Sequence, residues 1–375
     1  MQRYDVIVLG GGIAGLGVAD SSTRRGFSTV ILEAGGVGHA TSNNTLRIIH
    51  GGFRYLQQLN AARVMRSLHD QSYVARTFPD AVTPLPCLMP LRRFGLKSYL
   101  PVSLAAHLYS SIMWLCGSQV KAPSIISSDH LRTLSPLLHT QAPQGALCWY
   151  DLLMTEPSLI HSALSAHIRS RGGIIKEQTK VRQVTKTPYG FRVQAENDLE
   201  LESKVVISTL GPWLGGVPHR PSRRAISPRW CLGFNVVTSH QLHATHALAA
   251  QGPDGRLFFC VPRGQHTAIG TWYTPCESPS CDESGLMKPT VPEGELNSFI
   301  TSFNQAFGPQ TLRRQDIVQV DAGILPMRSN GLKGPSLYGA EQLREEKGYC
   351  EVMSTKYTTF HSQGEYAVRL ISRYL

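Results

Sequence analysis

At 375 residues with 42% hydrophobic side chains, the chain can bury a sizeable core, and its length suits two domains rather than one or four. Its 37 Lys and Arg against 26 Asp and Glu leave a formal charge of +11, which favours an anionic small molecule, an acidic membrane surface or nucleic acid. No long run of basic residues and no zinc-finger or aromatic RNA-binding pattern occurs, so nucleic acid is excluded as an expected partner.

The eight cysteines (Cys87, Cys116, Cys148, Cys231, Cys260, Cys276, Cys281, Cys350) form no C-x-x-C pair. They read as reduced core thiols of a cytoplasmic protein without a metal site. From Met1 the sequence enters a β-branched run almost at once, which leaves no room for an export signal. In chain order, "YDVIVL" (Tyr4 to Leu9) is a strand, three glycines form a turn, "IAGLGVADSSTRRG" is a helix and "FSTVILE" a second strand. A helix is expected from Asn60 to Thr77, after which Pro79, Pro84, Pro86 and Pro90 break regular structure. Leu100 to Gly117 is the most apolar long stretch, but Pro101, His107 and several serines keep it short of a membrane span. It reads as a buried helix, with a membrane-surface helix as the alternative.

Pro157 opens a further helix that ends at Gly172 and Gly173, followed by strands at Ile174 to Lys176, Lys180 to Val184, Phe191 to Val193 and Val205 to Thr209. The middle third is β-rich through "CLGFNVV", "GRLFFCVP" and "TAIGTWY". Cys276 to Gly294 is a surface loop, Glu295 to Phe307 an amphipathic helix, "DIVQVDAGILP" a strand and Glu365 to Tyr374 a closing helix. The alternation of strands and helices predicts an α/β fold with a Rossmann-like part and an interleaved, β-sheet-rich α+β part.

The G-x-G-x-x-G pattern falls on Gly10, Gly12 and Gly15 between the first strand and helix. Gly10 allows the tight turn, Gly12 lets backbone approach a pyrophosphate, and Gly15 lets helix and strand pack closely. Glu33 ends the second strand, where a carboxylate accepts hydrogen bonds from an adenosine ribose. The pattern signals a dinucleotide without choosing between FAD and NAD.

The stretch "TSNNTLRIIHGGFRYLQ", Thr41 to Gln57, decides the cofactor. Here the sequence resembles the FAD-dependent glycerol-3-phosphate dehydrogenases of the D-amino-acid oxidase superfamily, whose corresponding segment ends in H-G-G-x-R-Y-L. The resemblance recurs at Tyr150 and Asp151, in "GPWL", in "GRLFFCVPRGQHTAIGT", in "DIVQVDAGILPM" and in "STKYTTF", and covers the catalytic core without the family's extra C-terminal domain. It implies an FAD-binding part formed by residues 1–60, 145–215 and 316–375, and a substrate-binding part formed by 61–144 and 216–315.

By position, the resemblance places Gly10, Gly12, Ile13, Ala14, Gly15, Glu33 and Ala34 at the adenosine and pyrophosphate end of FAD. Thr41, Ser42, Gly51 and Gly52 pass the flavin, Val181, Gly211 and Trp213 lie near adenine and pyrophosphate, and Lys356, Thr358 and Thr359 approach the flavin from the last strand and helix. Arg54, Tyr55 and Lys356 fall on the substrate side. A guanidinium such as Arg54 can grip a phosphate or carboxylate with two bonds, and Lys356 can stabilise negative charge. His50 is a candidate base or covalent flavin tether, or a packed structural histidine.

Four departures cluster on the substrate side. Leu325 replaces an arginine of the family, with Arg328 as the candidate substitute. "LGFN" (near Gly233 to Asn235) replaces a polar G-S-H, Trp272 and Tyr273 replace a T-D pair, and Ser354 and Thr355 replace two glycines. The implied function is therefore FAD-dependent oxidation of a small, anionic, hydroxyl-bearing substrate such as a glycerol-3-phosphate-like compound, with oxygen or quinone as electron acceptor. The alternatives are oxidation of a C–N bond in an amino acid or amine, and a non-catalytic flavoprotein with a degenerate site. The basic surface and the Leu100 to Gly117 stretch add peripheral contact with the inner face of the membrane as a further alternative.

Overall fold

The computed structural model describes residues 1–58, 60–139, 142, 144–214, 226, 228–253, 255–276, 289–331 and 334–375. Cys281 and most of the expected loop from Cys276 to Gly294 lie outside the described residues.

Two sheets organise the chain. In the first, β1 (Gln2–Leu9) lies between Glu200–Ser208 and β2 (Thr29–Leu32), and the parallel run continues to Tyr349–Met353 on one side and Ile174–Lys176 on the other. Strand β1 is apolar on both faces because both are covered. Val6 and Val8 meet α1 (Ile13–Arg24), the helix Pro157–Ser170 and the helix Phe360–Ile371, whereas Tyr4, Ile7 and Leu9 meet the ribbon Val181–Lys186 and Phe191–Ala195. Helix α1 crosses Phe360–Ile371 at close range, since a Cβ at Gly17 would strike the Phe360 carbonyl and one at Gly364 the Gly17 carbonyl.

The second sheet is larger and mostly antiparallel, in the order 334–337, 317–331, 229–238, 266–276, 257–263, 247–251, 82–90, 146–154 and 48–49. Alternate residues of its strands divide between two cores. Leu88, Leu248 and Cys260 face the Phe299, Phe303 and Phe307 side of the helix Glu293–Phe307, while Cys87, Ala247 and Val261 face α2 (Ala61–Thr77) and α3 (Tyr99–Leu115). Asn60 caps α2 by accepting the Arg63 amide at 3.1 Å.

Several expectations shift. The proline-rich stretch is a strand, Val82–Pro90, rather than a break. Its full-length neighbour is Ala146–Met154, and the neighbour on its other edge pairs only at Cys87 and Leu88, so Pro84 and Pro86 sit where no second ladder needs their missing N–H. Strands Ala146–Met154 and Ile317–Gly331, expected in the FAD-binding part, pair within the second sheet. The closing helix starts five residues earlier than expected, at Phe360, and ends at Ile371. Helix α3 is buried on one face only: Val102, Ala106, Tyr109, Ile112 and Met113 are covered, and the opposite face is open. Of the cysteines, Cys87, Cys148, Cys231, Cys260 and Cys350 are buried thiols, and Cys116 and Cys276 are partly covered.

Candidate active site

A cavity of about 430 Å³ opens outside the carboxyl ends of the parallel strands, where open α/β sheets bind their ligands. One end is walled by Glu33, Ala34 and Val181, the middle by Gly10, Gly12, Ile13, Ala14, Thr41, Ser42, Gly211 and Trp213, and the far end by Asn235, Thr271, Tyr273, Leu325 and Lys356.

The glycine turn has the geometry its sequence implies. Gly10 takes φ of +95°, and a Cβ there would stand 2.9 Å from the Thr209 carbonyl oxygen. Gly15 is not on the cavity wall; it lets α1 lie against the turn, since a Cβ at Gly15 would overlap the Gly10 carbonyl. Thr209 Oγ1 donates to the Leu9 and Gly10 carbonyls at 2.8 and 3.0 Å, which fixes the turn from the neighbouring strand. Ile13 N–H, at the start of α1, donates to Ser42 Oγ at 3.0 Å. Glu33 accepts the Gly11 and Gly35 amides at 2.5 and 2.8 Å, and its remaining lone pairs are free to meet a ligand hydroxyl. An elongated cavity with a carboxylate at one end and an uncrowded helix N-terminus in its middle fits an adenine dinucleotide.

At the other end, cations converge. Lys356 Nζ donates to Tyr55 Oη at 2.8 Å and to the Gly339 carbonyl at 3.0 Å. The Arg63 guanidinium lies 3.8 Å from the centre of the Tyr55 ring, and Glu341, paired with Arg66, is an acidic group within electrostatic reach of Lys356. Burial, then Arg63 and Arg54, push the Lys356 ammonium down to about 7. His50 sits edge-on to Tyr55 with ring centroids 5.7 Å apart, and its enclosed Nδ1 has no hydrogen-bond partner among the described residues. Burial, reinforced by Lys356, Arg54 and Arg63, lowers its pKa to about 3, so the imidazole is neutral at physiological pH.

The His50 loop is held from beneath. Gly51 N–H donates to Asp151 Oδ1 at 2.8 Å, Trp149 Nε1–H donates to Oδ2 at 3.0 Å, and Gln71 Nε2 donates to the Ile49 carbonyl at 3.0 Å. Burial without a counter-charge raises the Asp151 carboxyl to about 6. Thr358 Oγ1 receives the His50 amide at 3.4 Å. Gly51, Gly52 and Thr358 thus stand behind the cavity wall, and Thr359 lines a small neighbouring hollow shared with Arg63, Arg66 and Lys356. Arg54 is exposed and lies off the wall, close enough to influence His50, Lys97, Tyr273 and Lys356.

The departures also find their places. Leu325 faces Gly233 and the Tyr273 ring, an apolar surface on the cavity wall. Arg328 is exposed and not on that wall, so it does not stand in for the missing arginine. Asn235 is 3% exposed and accepts the Thr271 hydroxyl at 2.9 Å, so "LGFN" keeps a polar group at the site. Ser354 and Thr355 turn their hydroxyls to the Lys356 and Tyr338 carbonyls at 3.3 and 3.1 Å. Sequence reasoning placed Tyr273 on the substrate side, quoted Asp151 only for the resemblance without giving it a role, and missed Arg63 as a site group. Arg63 carried a signal, being one turn into a helix that begins just after Tyr55.

Known proteins share this architecture. The alpha-glycerophosphate oxidase of Enterococcus casseliflavus is 27% identical over 346 residues, covering 87% of this chain and 55% of its own length. The D-erythritol 1-phosphate dehydrogenase of Brucella abortus is 26% identical, covering 97% of this chain and 72% of its own. The chain therefore spans about half the length of the first relative and nearly three quarters of the second. The solved glycerol-3-phosphate dehydrogenase of Bacillus halodurans, complexed with FAD, superposes with a TM-score of 0.72 at 18% identity, over 99% of this chain and 64% of its own. The family model described as FAD dependent oxidoreductase matches residues 5–349. With that match over most of its length, the chain belongs to the FAD dependent oxidoreductase family, and FAD is its cofactor.

Proposed function

We propose that this FAD-dependent oxidoreductase dehydrogenates a secondary hydroxyl of a small polyol phosphate of the glycerol-3-phosphate kind and passes the electrons to oxygen or quinone. The observation that carries the reading is that Arg54, Arg63 and Lys356 all lie within electrostatic reach of a neutral His50 whose Nδ1 has no partner among the described residues. Bound FAD supplies the hydride acceptor.

The chain's own groups account for the rest. Lys356, braced on Tyr55, and the two guanidiniums attract and orient a dianion at the mouth of the cavity. The imidazole of His50 takes the hydroxyl proton as the C–H hydride leaves, so that the alcohol becomes a carbonyl. A bound dianion also raises the basicity of His50, because it offsets the same cations that lower its pKa. The relatives named for glycerophosphate and erythritol phosphate support this substrate class. The Glu33 to Trp213 part of the cavity is the proposed nucleotide end, with Gly10, Gly12, Ile13, Ala14, Ala34 and Val181.

The test is anaerobic mixing of the purified holoprotein with glycerol 3-phosphate, erythritol phosphates, unphosphorylated polyols and amino acids. Bleaching of the flavin absorbance by polyol phosphates alone is the expected result. Bleaching by amino acids alone would replace the reading with C–N oxidation.

A further inference from the structure

We propose, on the reading that Arg54, Arg63 and Lys356 attract the substrate phosphate, that Glu341 is a specificity-determining residue. As a carboxylate set among the cations of the substrate end, it limits the charge accepted there and so selects a single phosphate group over a bisphosphate.

Glu341 lies in the short connection between the strands Gly334–Leu337 and Gln342–Glu346. This connection meets each cation of the hollow beside the cavity. The Tyr338 carbonyl accepts the Thr355 hydroxyl at 3.1 Å, and the Gly339 carbonyl accepts the Lys356 ammonium at 3.0 Å. Gly339 also leaves space for Arg63, since a Cβ there would stand 3.3 Å from Nη1. Two residues on, the Glu341 carboxylate pairs with Arg66 at 2.6 Å, its side chain only 6% exposed. Arg66 is fixed from its other edge as well. Its Nε donates to Ser362 Oγ at 2.7 Å, and Ser362 donates its amide and hydroxyl to the buried Asp70 carboxylate at 3.0 and 2.7 Å. A carboxylate held this way, with little water around it, acts over a longer range than an exposed one.

Size and charge together define what Glu341 can do. Arg63, Arg66 and Lys356 line the hollow, and among the described residues Glu341 is the one acidic group on its wall. The hollow holds about 30 Å³, room for one or two waters but not for a phosphate. A bound anion therefore sits on the cavity side, where Ser354, Thr355 and Lys356 line both spaces, and Glu341 acts on it through space, across Lys356. Three cations against one carboxylate leave an excess of two positive charges, which a phosphate monoester nearly balances at neutral pH. The anion itself keeps Lys356 protonated, because an opposite charge favours the ammonium. Arg54 adds a further charge but faces water, which screens it. Every additional negative charge on the ligand meets the same repulsion from Glu341, so the cost grows with ligand charge.

The flavin-loaded protein is titrated with sulfate and with methyl sulfate, doubly and singly charged tetrahedral oxyanions that do not titrate near neutral pH. The shift in flavin absorbance gives each Kd. In Glu341→Gln the preference for sulfate over methyl sulfate is expected to widen at least about fivefold, and in Glu341→Asp to stay within about twofold of the parent. Arg66→Gln/Glu341→Gln breaks the same tie at unchanged net charge and should keep the parent preference, while Arg66→Gln alone should narrow it. An unchanged preference in Glu341→Gln overturns the proposal, as does equal widening in the double variant, which would make Glu341 a structural tie. If Glu341→Gln does not fold, an unchanged preference in Arg66→Gln overturns it instead. These results, with sulfate still bound by the parent, leave the phosphate reading standing. A parent spectrum that answers to neither anion overturns that reading and this proposal together.

Discussion

The amide of Gly51 donates to the carboxylate of Asp151 at 2.8 Å, which joins the His50 loop to the strand Ala146–Met154. Asp151 is 4% exposed and has amide and indole donors around it but no cation, an arrangement that trades stability for position. Asp151→Asn retains an acceptor for Gly51 but weakens the hold. Flavin reduction is expected to slow about tenfold at unchanged flavin content and substrate KM, because Asp151 acts through the placement of His50. Single-turnover reduction with saturating substrate measures this; a change in KM alone would show that His50 is not what Asp151 positions.

Arg54→Ala removes an exposed guanidinium that no described residue depends on for packing. The fold and the flavin should survive, while anaerobic reduction slows about 10²-fold or more. Equal rates in the two proteins would take Arg54 out of the site.

Lys356 gives the site a pH signature. Its ammonium pKa is lowered to about 7, so the charge is present below that value and is lost as pH rises through it. KM for a phosphate substrate should therefore climb between about pH 7 and 9. The folded-state pKa lies below the unfolded one, so folding favours the neutral amine and stability should increase as pH rises from about 7 toward 10.5. Lys356→Met should then melt no lower than the parent at neutral pH while raising KM at least about tenfold. A flat KM profile across this range would contradict the assignment.

Leu325→Arg places a cation against the Tyr273 ring and into the cavity wall. Affinity for glycerol 3-phosphate should increase about tenfold, and the pH dependence of KM should flatten, since Lys356 then supplies a smaller share of the binding. Titration of the flavin spectrum with a non-reacting phosphate analogue reads this directly.

Gly15→Ala forces a methyl group into the Gly10 carbonyl oxygen. The turn must open, with a stability loss of about 2 kcal/mol or more and loss of FAD on gel filtration. A yellow, equally stable protein would show that the turn yields more easily than its packing implies.

What the sequence disclosed follows the range of the forces involved. The first strand, the glycine turn, α1 and Glu33 are encoded within 33 residues, and the cavity forms where that local pattern puts it. Asn60, Pro157 and the Gly172–Gly173 pair likewise mark helix ends through local capping chemistry. The Asp151 bond to Gly51 spans 100 residues and the Lys356 bond to Tyr55 spans 301, and no periodicity reports either. Prolines at 84 and 86 hid a strand because which ladder edges are used is decided by the partner strands, not by the strand itself. The apolar pattern of α3 showed hydrophobicity but could not show that only one face finds cover.

The close crossing of α1 with the helix Phe360–Ile371 has a kinetic consequence. Ser21 bonds Glu365 at 3.0 Å across 344 residues of chain, and the strand Tyr349–Met353 completes the parallel sheet beside Glu200–Ser208. During synthesis the glycine turn emerges more than 300 residues before the helix that buttresses it. The nucleotide cradle must therefore wait, partly assembled, while those residues are made, with the apolar faces of β1 and α1 unprotected. Flavin capture is expected to come late and all at once, and a ribosome stalled before Tyr349 should hold a nascent chain that binds no FAD.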